Sequence, residues 1–171
     1  MYNFIDWCSD VNLGSYKKLE ILPLAWINRD QYSSLVTSHN RHLYNIPVLS
    51  EFDNIGLGGW IQIPVLPTRG RSFTETQINN FQGEHFRQQI SCIYPSNREE
   101  ARRAFNQLFR HRFIARVTEW DDTMYIVGTD ERPCTMTAVM TTGASKSALK
   151  NWQITLRTRA LHPAPSIILT S

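Results

Sequence analysis

Only one stretch of this chain carries the periodicity of a helix, and it is embedded among segments that alternate like strands. Ser96-Asn97-Arg98-Glu99 has the S-x-x-E form of a capping box. In that motif the serine satisfies an early helix amide while the glutamate reaches back to the cap. Ala101, Ala104, Phe105 and Leu108 follow at i, i+3, i+4 and i+7, an apolar stripe on a helix of about four turns. Arg110, His111 and Arg112 close it at the end where the helix dipole favours positive charge.

On both sides of this helix the period is two. Phe86, Ile90, Cys92 and Tyr94 alternate with polar residues until Pro95 stops the run, which predicts a half-buried strand. Phe113 to Trp120 and Thr123 to Val127 flank Asp121-Asp122, the pattern of an antiparallel hairpin with an acidic turn. Cys134 to Thr141 places Cys134, Met136, Ala138 and Met140 on one face, and Asn151 to Leu161 does the same with Trp152, Ile154 and Leu156. Between these two lies the small polar loop Gly143 to Ala148. The order β-α-β-β-β-β predicts an α+β fold: one packed amphipathic helix on a mostly antiparallel β-sheet or barrel-like sheet.

The chain changes character near residue 83. Before it, prolines at Pro23, Pro47, Pro64 and Pro67 punctuate the apolar runs Glu20 to Ile27, Leu43 to Phe52 and Gly59 to Leu66. Each proline removes a backbone donor, so these runs read as edge strands or extended segments. Gly56, Gly58 and Gly59 read as a turn, because no GK[ST] follows to make a phosphate loop. The expected organisation is an extended N-terminal region or arm over 1–83, an α+β core over 84–161 and an extended C-terminal tail over 162–171. The tail opens with His162-Pro163-Ala164-Pro165 and ends in the β-prone Ser166 to Ser171. Ends of this kind suit arms that add strands to neighbouring subunits.

At 171 residues the chain has room for one domain plus an arm, and a chain of this length buries about 70% of its unfolded surface. No apolar run reaches the roughly 18 residues that cross a bilayer, and MYNFIDWCSD lacks a basic start and apolar h-region. A soluble protein of cytoplasmic synthesis, with no membrane partner, is expected. Cys8, Cys92 and Cys134 are odd in number and far apart, which suits reduced thiols better than a disulfide framework. The net charge is +3, but fourteen of the eighteen basic residues are arginine. The planar guanidinium is suited to bidentate pairing and to phosphate contacts.

Candidate reaction centres are sparse. His39 and His42 lack further ligands at metal spacing and read as a solvated loop. Glu119, Asp121 and Asp122 are a tight acidic cluster that a divalent-ion hydrolase would use, although adjacent aspartates at a hairpin tip are ordinarily turn formers. Gly128-Thr129-Asp130 follows a strand but precedes another strand, so no helix N-terminus is available for a phosphate. No G-x-S-x-G elbow occurs. The expectation is a non-enzyme with no catalytic, cofactor-binding or metal-binding residues. From Glu84 to Arg116 seven arginines stand against three glutamates. The plainer reading is a solvated helix face that pairs with acidic neighbours, and the alternative is a nucleic-acid surface. The residues marked as interface or basic surface are Arg98, Arg102, Arg103, Arg110, Arg112, Arg157 and Arg159, with apolar Ile167, Ile168 and Leu169 in the tail.

The capped helix, His111 to Val117, the hairpin, Val127 to Pro133 (VGTDERP), Thr141 to Gly143 (TTG) and His162 to Pro165 (HPAP) together resemble small virion proteins of tailed phages and prophages of Bacteroidetes, including the crAss-like group. The resemblance covers Glu84 to Ser171. It implies a structural subunit of a neck, tail or connector ring, made in the host bacterial cytoplasm and located in the virion. Its implied partners are copies of itself, other virion proteins and, without sequence specificity, packaged DNA.

Overall fold

The computed structural model describes residues 15–27, 59–65, 70–81, 83–94, 99–141 and 151–168. Within them lie nine strands and one α-helix: β1 (Tyr16–Pro23), β2 (Ile61–Ile63), β3 (Ser72–Asn80), β4 (Gly83–Tyr94), α1 (Glu99–Leu108), β5 (Phe113–Glu119), β6 (Thr123–Val127), β7 (Thr135–Thr141), β8 (Asn151–Ala160) and β9 (Ser166–Ile168). They build a five-stranded sheet in the order β2-β1-β5-β6-β9 and a four-stranded sheet in the order β3-β4-β8-β7. Every pairing is antiparallel. The fold is α+β and mostly β, as the alternation predicts, and both sheets are open, so no barrel closes.

The apolar faces of the two sheets meet in one cluster. Leu19, Ile21, Phe113, Ala115, Val117 and Val127 come from the five-stranded sheet, and Ile90, Cys92, Met136, Ile154 and Leu156 from the four-stranded one. Burying each larger side chain contributes about 1.5–3 kcal/mol. Tyr16 ties the layers together directly, its hydroxyl donating to the Ser91 carbonyl at 3.0 Å. Helix α1 covers one end of this core through Phe105, which meets Tyr94 edge-on at 5.1 Å and lies 5.5 Å from Trp152. Ala101 and Phe105 are buried but Ala104 is exposed, so the packed stripe is narrower than the sequence spacing suggests.

Two expectations about the chain ends need correction. Strand β1 is internal, not an edge: Leu19 pairs with Val117 on one side and Ile63 on the other. Pro23 stands at the end of β1, where its missing donor interrupts no further pairing. The boundary at residue 83 falls in the β3–β4 hairpin, where Asn80 pairs with Gly83, so residues before it contribute three strands to the sheets. The described part of the tail, residues 162–168, also pairs within the chain. The Ala164 amide donates to Glu75 Oε2 at 2.7 Å, the Ile126 amide donates to the Pro165 carbonyl at 3.1 Å, and β9 pairs with β6. A β-prone segment finds an open strand edge beside it. The capping residues Ser96 to Arg98, the histidines His39 and His42, Gly56 and Gly58, the run Leu43 to Phe52, the loop Gly143 to Ala148 and Cys8 lie outside the described residues.

The second face of the five-stranded sheet is also buried, by Leu22, Ile114, Met124 and Ile126, and it contains a charge pair. Glu20 and Arg116 are direct cross-strand partners on β1 and β5, with Arg116 Nε 2.5 Å from Glu20 Oε2. Lys18 approaches the other carboxylate oxygen at 2.9 Å, and the Arg116 guanidinium lies 4.6 Å from the Trp60 ring centre. Burial alone pushes the Glu20 carboxyl up, but hydrogen bonds from Arg116 and Lys18 outweigh it and hold the group below the ordinary carboxylate range. A carboxylate with a depressed folded pKa stabilises the fold above its unfolded pKa, and this contribution disappears as the pH falls through the folded value. We therefore expect Glu20→Gln to lower stability at neutral pH by about 3 kcal/mol, because the buried Arg116 charge loses its partner. Its stability should also depend less on pH below about 4.3 than that of the native chain. Urea unfolding followed across that range measures both, and a variant as acid-sensitive as the native protein contradicts the assignment.

Candidate interaction surfaces

The end of the β3–β4 hairpin, Ile78 to His85, lies past the pairing of β4 with β8, which ends at Phe86 with Ala160. Phe73 and Ile90 are the hairpin's last apolar cross-strand pair, and from Thr74 to Gln77 β3 is exposed on both faces. Gln77 donates to Glu84 across the ribbon. At the tip Phe81 is 97% exposed, a large aromatic ring presented to solvent on a polar ribbon. Sequence reasoning missed β3, because its two large apolar residues, Phe73 and Ile78, fall on opposite faces of the strand and give no alternation.

The acidic cluster is engaged in the β5–β6 turn. The Asp122 amide donates to the Glu119 carbonyl at 3.3 Å, and Asp122 takes the left-handed conformation at φ 68° that aspartate tolerates. Asp121 accepts from the Thr123 amide and hydroxyl, both at 2.9 Å, which holds its carboxyl below the ordinary range. Glu119 moves the other way, raised first by burial and then by Asp121. Asp122 pairs with Lys17. Among the described residues no group of three or more His, Cys, Asp or Glu side chains is placed to hold a metal ion. Cys92 and Cys134 are both buried, and burial pushes both thiols up to about 12, far from the thiolate that a nucleophile requires.

The marked basic residues separate into distinct places. Arg102 and Arg103 are exposed on α1, where Arg103 pairs with Glu99 one turn earlier at 3.0 Å. Arg110 and Arg112 are exposed in the turn after the helix. Arg98 and Leu169 lie outside the described residues, as do the side chains of Ile167 and Ile168, whose backbone belongs to β9. Arg157 and Arg159 stand on the outer face of the four-stranded sheet. There they join two arginines that sequence reasoning did not single out, Arg87 and Arg132, around an open groove of about 720 Å³ that Gln89 and Thr135 also line. Arg87 and Arg159 are direct cross-strand partners, and like charges in that relation repel. Arg157 Nε donates to Gln89 Oε1 at 2.9 Å, and among the described residues no carboxylate lines the groove.

The turn Gly128 to Pro133 delivers Arg132 to this groove. The Thr129 amide donates to the Arg132 carbonyl at 3.1 Å, the Arg132 amide donates to Thr129 Oγ1 at 3.0 Å, and Thr158 Oγ1 donates to the Arg132 carbonyl at 2.8 Å. Gly128 is at φ +87°, and a Cβ there would lie 3.0 Å from Cys134 Sγ and 3.3 Å from the Phe113 carbonyl oxygen. No protein-family model, curated protein or solved structure matches this chain. Gly128→Ala should cost about 1–3 kcal/mol through backbone strain, with the added crowding acting in the same direction. A thermal melt unchanged by the substitution contradicts this account of the turn.

Proposed function

We propose that this protein is a structural subunit of a tailed-phage virion, built into a ring of the neck or tail, and that it engages adjacent subunits through the β3–β4 hairpin. The observation that carries the reading is the exposure of Phe81 at the tip of a polar ribbon that runs past the pairing of β4 with β8. In protein interfaces a few residues, often aromatic, supply most of the binding energy, and an aromatic ring at a hairpin tip is placed to act as one. The motifs shared with small virion proteins of Bacteroidetes phages point in the same direction, and the virion is the corresponding location. Its partners are then further copies of the chain and neighbouring virion proteins. Among the described residues no helix is long and apolar enough to cross a membrane.

In this reading the projecting arm is the central hairpin, since the described part of the C-terminal tail pairs with its own sheet. The alternative, nucleic-acid binding through the arginines of α1, has less support because Arg103 already pairs with Glu99. Substituting Phe81 by Ser removes the anchor without touching the core. The expected outcome is a loss of higher-order species in sedimentation velocity, alone or mixed with the other virion proteins, with the thermal midpoint unchanged. A native chain that stays monomeric in every such mixture, or a Phe81→Ser variant that assembles normally, counts against the proposal.

A further inference from the structure

We infer that the arginine groove on the outer face of the four-stranded sheet is a contact for the phosphate backbone of duplex DNA, made without regard to base sequence. The inference goes beyond the subunit reading and does not need it, because it rests on the groove alone.

The first argument is electrostatic. Arg87 and Arg159 are direct partners across β4 and β8, a like-charge arrangement that is mildly unfavourable in the free chain and that an anion between them would relieve. Arg157 is the next outward-facing residue along β8 and Arg132 arrives from the turn, so four arginines line one groove to which no described residue brings a carboxylate. Among the described residues the ion pairs that neutralise other cations, Lys17 with Asp122, Lys18 and Arg116 with Glu20, and Arg103 with Glu99, all lie elsewhere.

The second argument is chemical. Guanidinium forks bind phosphate oxygens in bidentate fashion, and hydroxyl and amide side chains such as Thr135 and Gln89 supply the further bonds typical of backbone contacts. An acidic polypeptide is a poorer fit, because strand-like peptide recognition needs pockets for alternate side chains and the lining here is arginine, glutamine, threonine and one proline. Single-stranded nucleic acid is the poorer fit, because among the described residues no aromatic ring lines the groove to stack a base. Among the described residues the groove is lined by strands and by the turn that carries Arg132, with no helix in the lining to enter a major groove, so the contact inferred is with the backbone and indifferent to sequence.

The test is fluorescence anisotropy with a labelled DNA duplex of mixed sequence, using the full chain. Four phosphate contacts predict a log–log salt slope of about −3.6, hence roughly a hundredfold loss of affinity from about 50 to 200 mM salt. The double variant Arg87→Gln with Arg159→Gln should reduce the slope by about 2, while its thermal midpoint stays level or rises because a like-charge pair has gone. Replacing the same two residues by lysine should retain the slope, and Arg103→Gln on α1 should leave it untouched. Four outcomes overturn the inference: no binding by the native chain, a glutamine variant with native slope, a loss of affinity that merely follows a fall in thermal midpoint, or competition by polyglutamate as effective as by unlabelled duplex. The last would assign the groove to an acidic protein partner.

Discussion

The two layers of this protein depend on one tight crossing. The chain leaves the five-stranded sheet at Val127 and enters the four-stranded sheet at Thr135, and on the way Phe113 and Cys134 exchange backbone hydrogen bonds at 3.1 and 2.8 Å. That exchange brings the start of β5 against the start of β7 and leaves little space for a Cβ at Gly128. The rest follows from the crossing. With the layers held at this corner, Cys134 and Phe113 enter the common core, and the turn that completes the crossing presents Arg132 beside β8. A structural constraint thus sets the geometry of a surface feature.

The second constraint is the central position of β1. It can pair with β5 only after most of the chain is available, since Glu20 and Arg116 are separated by 96 residues. Such long-range pairing is costly in loop-closure entropy and slows folding relative to local hairpins. Both faces of the five-stranded sheet are buried, so a register slip would place charge in the main core and apolar side chains opposite Arg116. The ion pair therefore selects the register of β1 on β5 as well as contributing to stability, a role in specificity that buried charges fulfil in some other folds.

The parts of the fold legible in the sequence are those whose burial is one-sided. Strands β4, β7 and β8 alternate because one face meets the core and the other meets water, and the β5–β6 hairpin is announced by its acidic turn. Strand β1 reads as an edge in the sequence because a strand buried on both faces loses its alternation, and the proline that argues against a sheet interior stands at its last position. The hairpin beyond Phe73 was invisible for the opposite reason, being polar on both faces. The groove was half legible. Arg157 and Arg159 were marked as basic surface, but their meeting with Arg87 is a matter of cross-strand register and the arrival of Arg132 a matter of turn geometry, neither of which is local in sequence.

The excess of arginine over lysine consequently has several meanings in this molecule. Arg116 is a buried partner of Glu20, Arg103 belongs to a solvated helical pair, and Arg71 approaches the Tyr16 and Trp120 rings at 5.8 and 5.5 Å. Each of these is accounted for by an interaction within the chain. Arg87 and Arg159 differ, because the fold gains nothing from opposing two like charges on adjacent strands. A sheet that needed only solubility on this face would be served by the threonines that surround them, such as Thr155 and Thr137. Position, more than composition, is what separates the arginines that hold this protein together from those that face outward to something else.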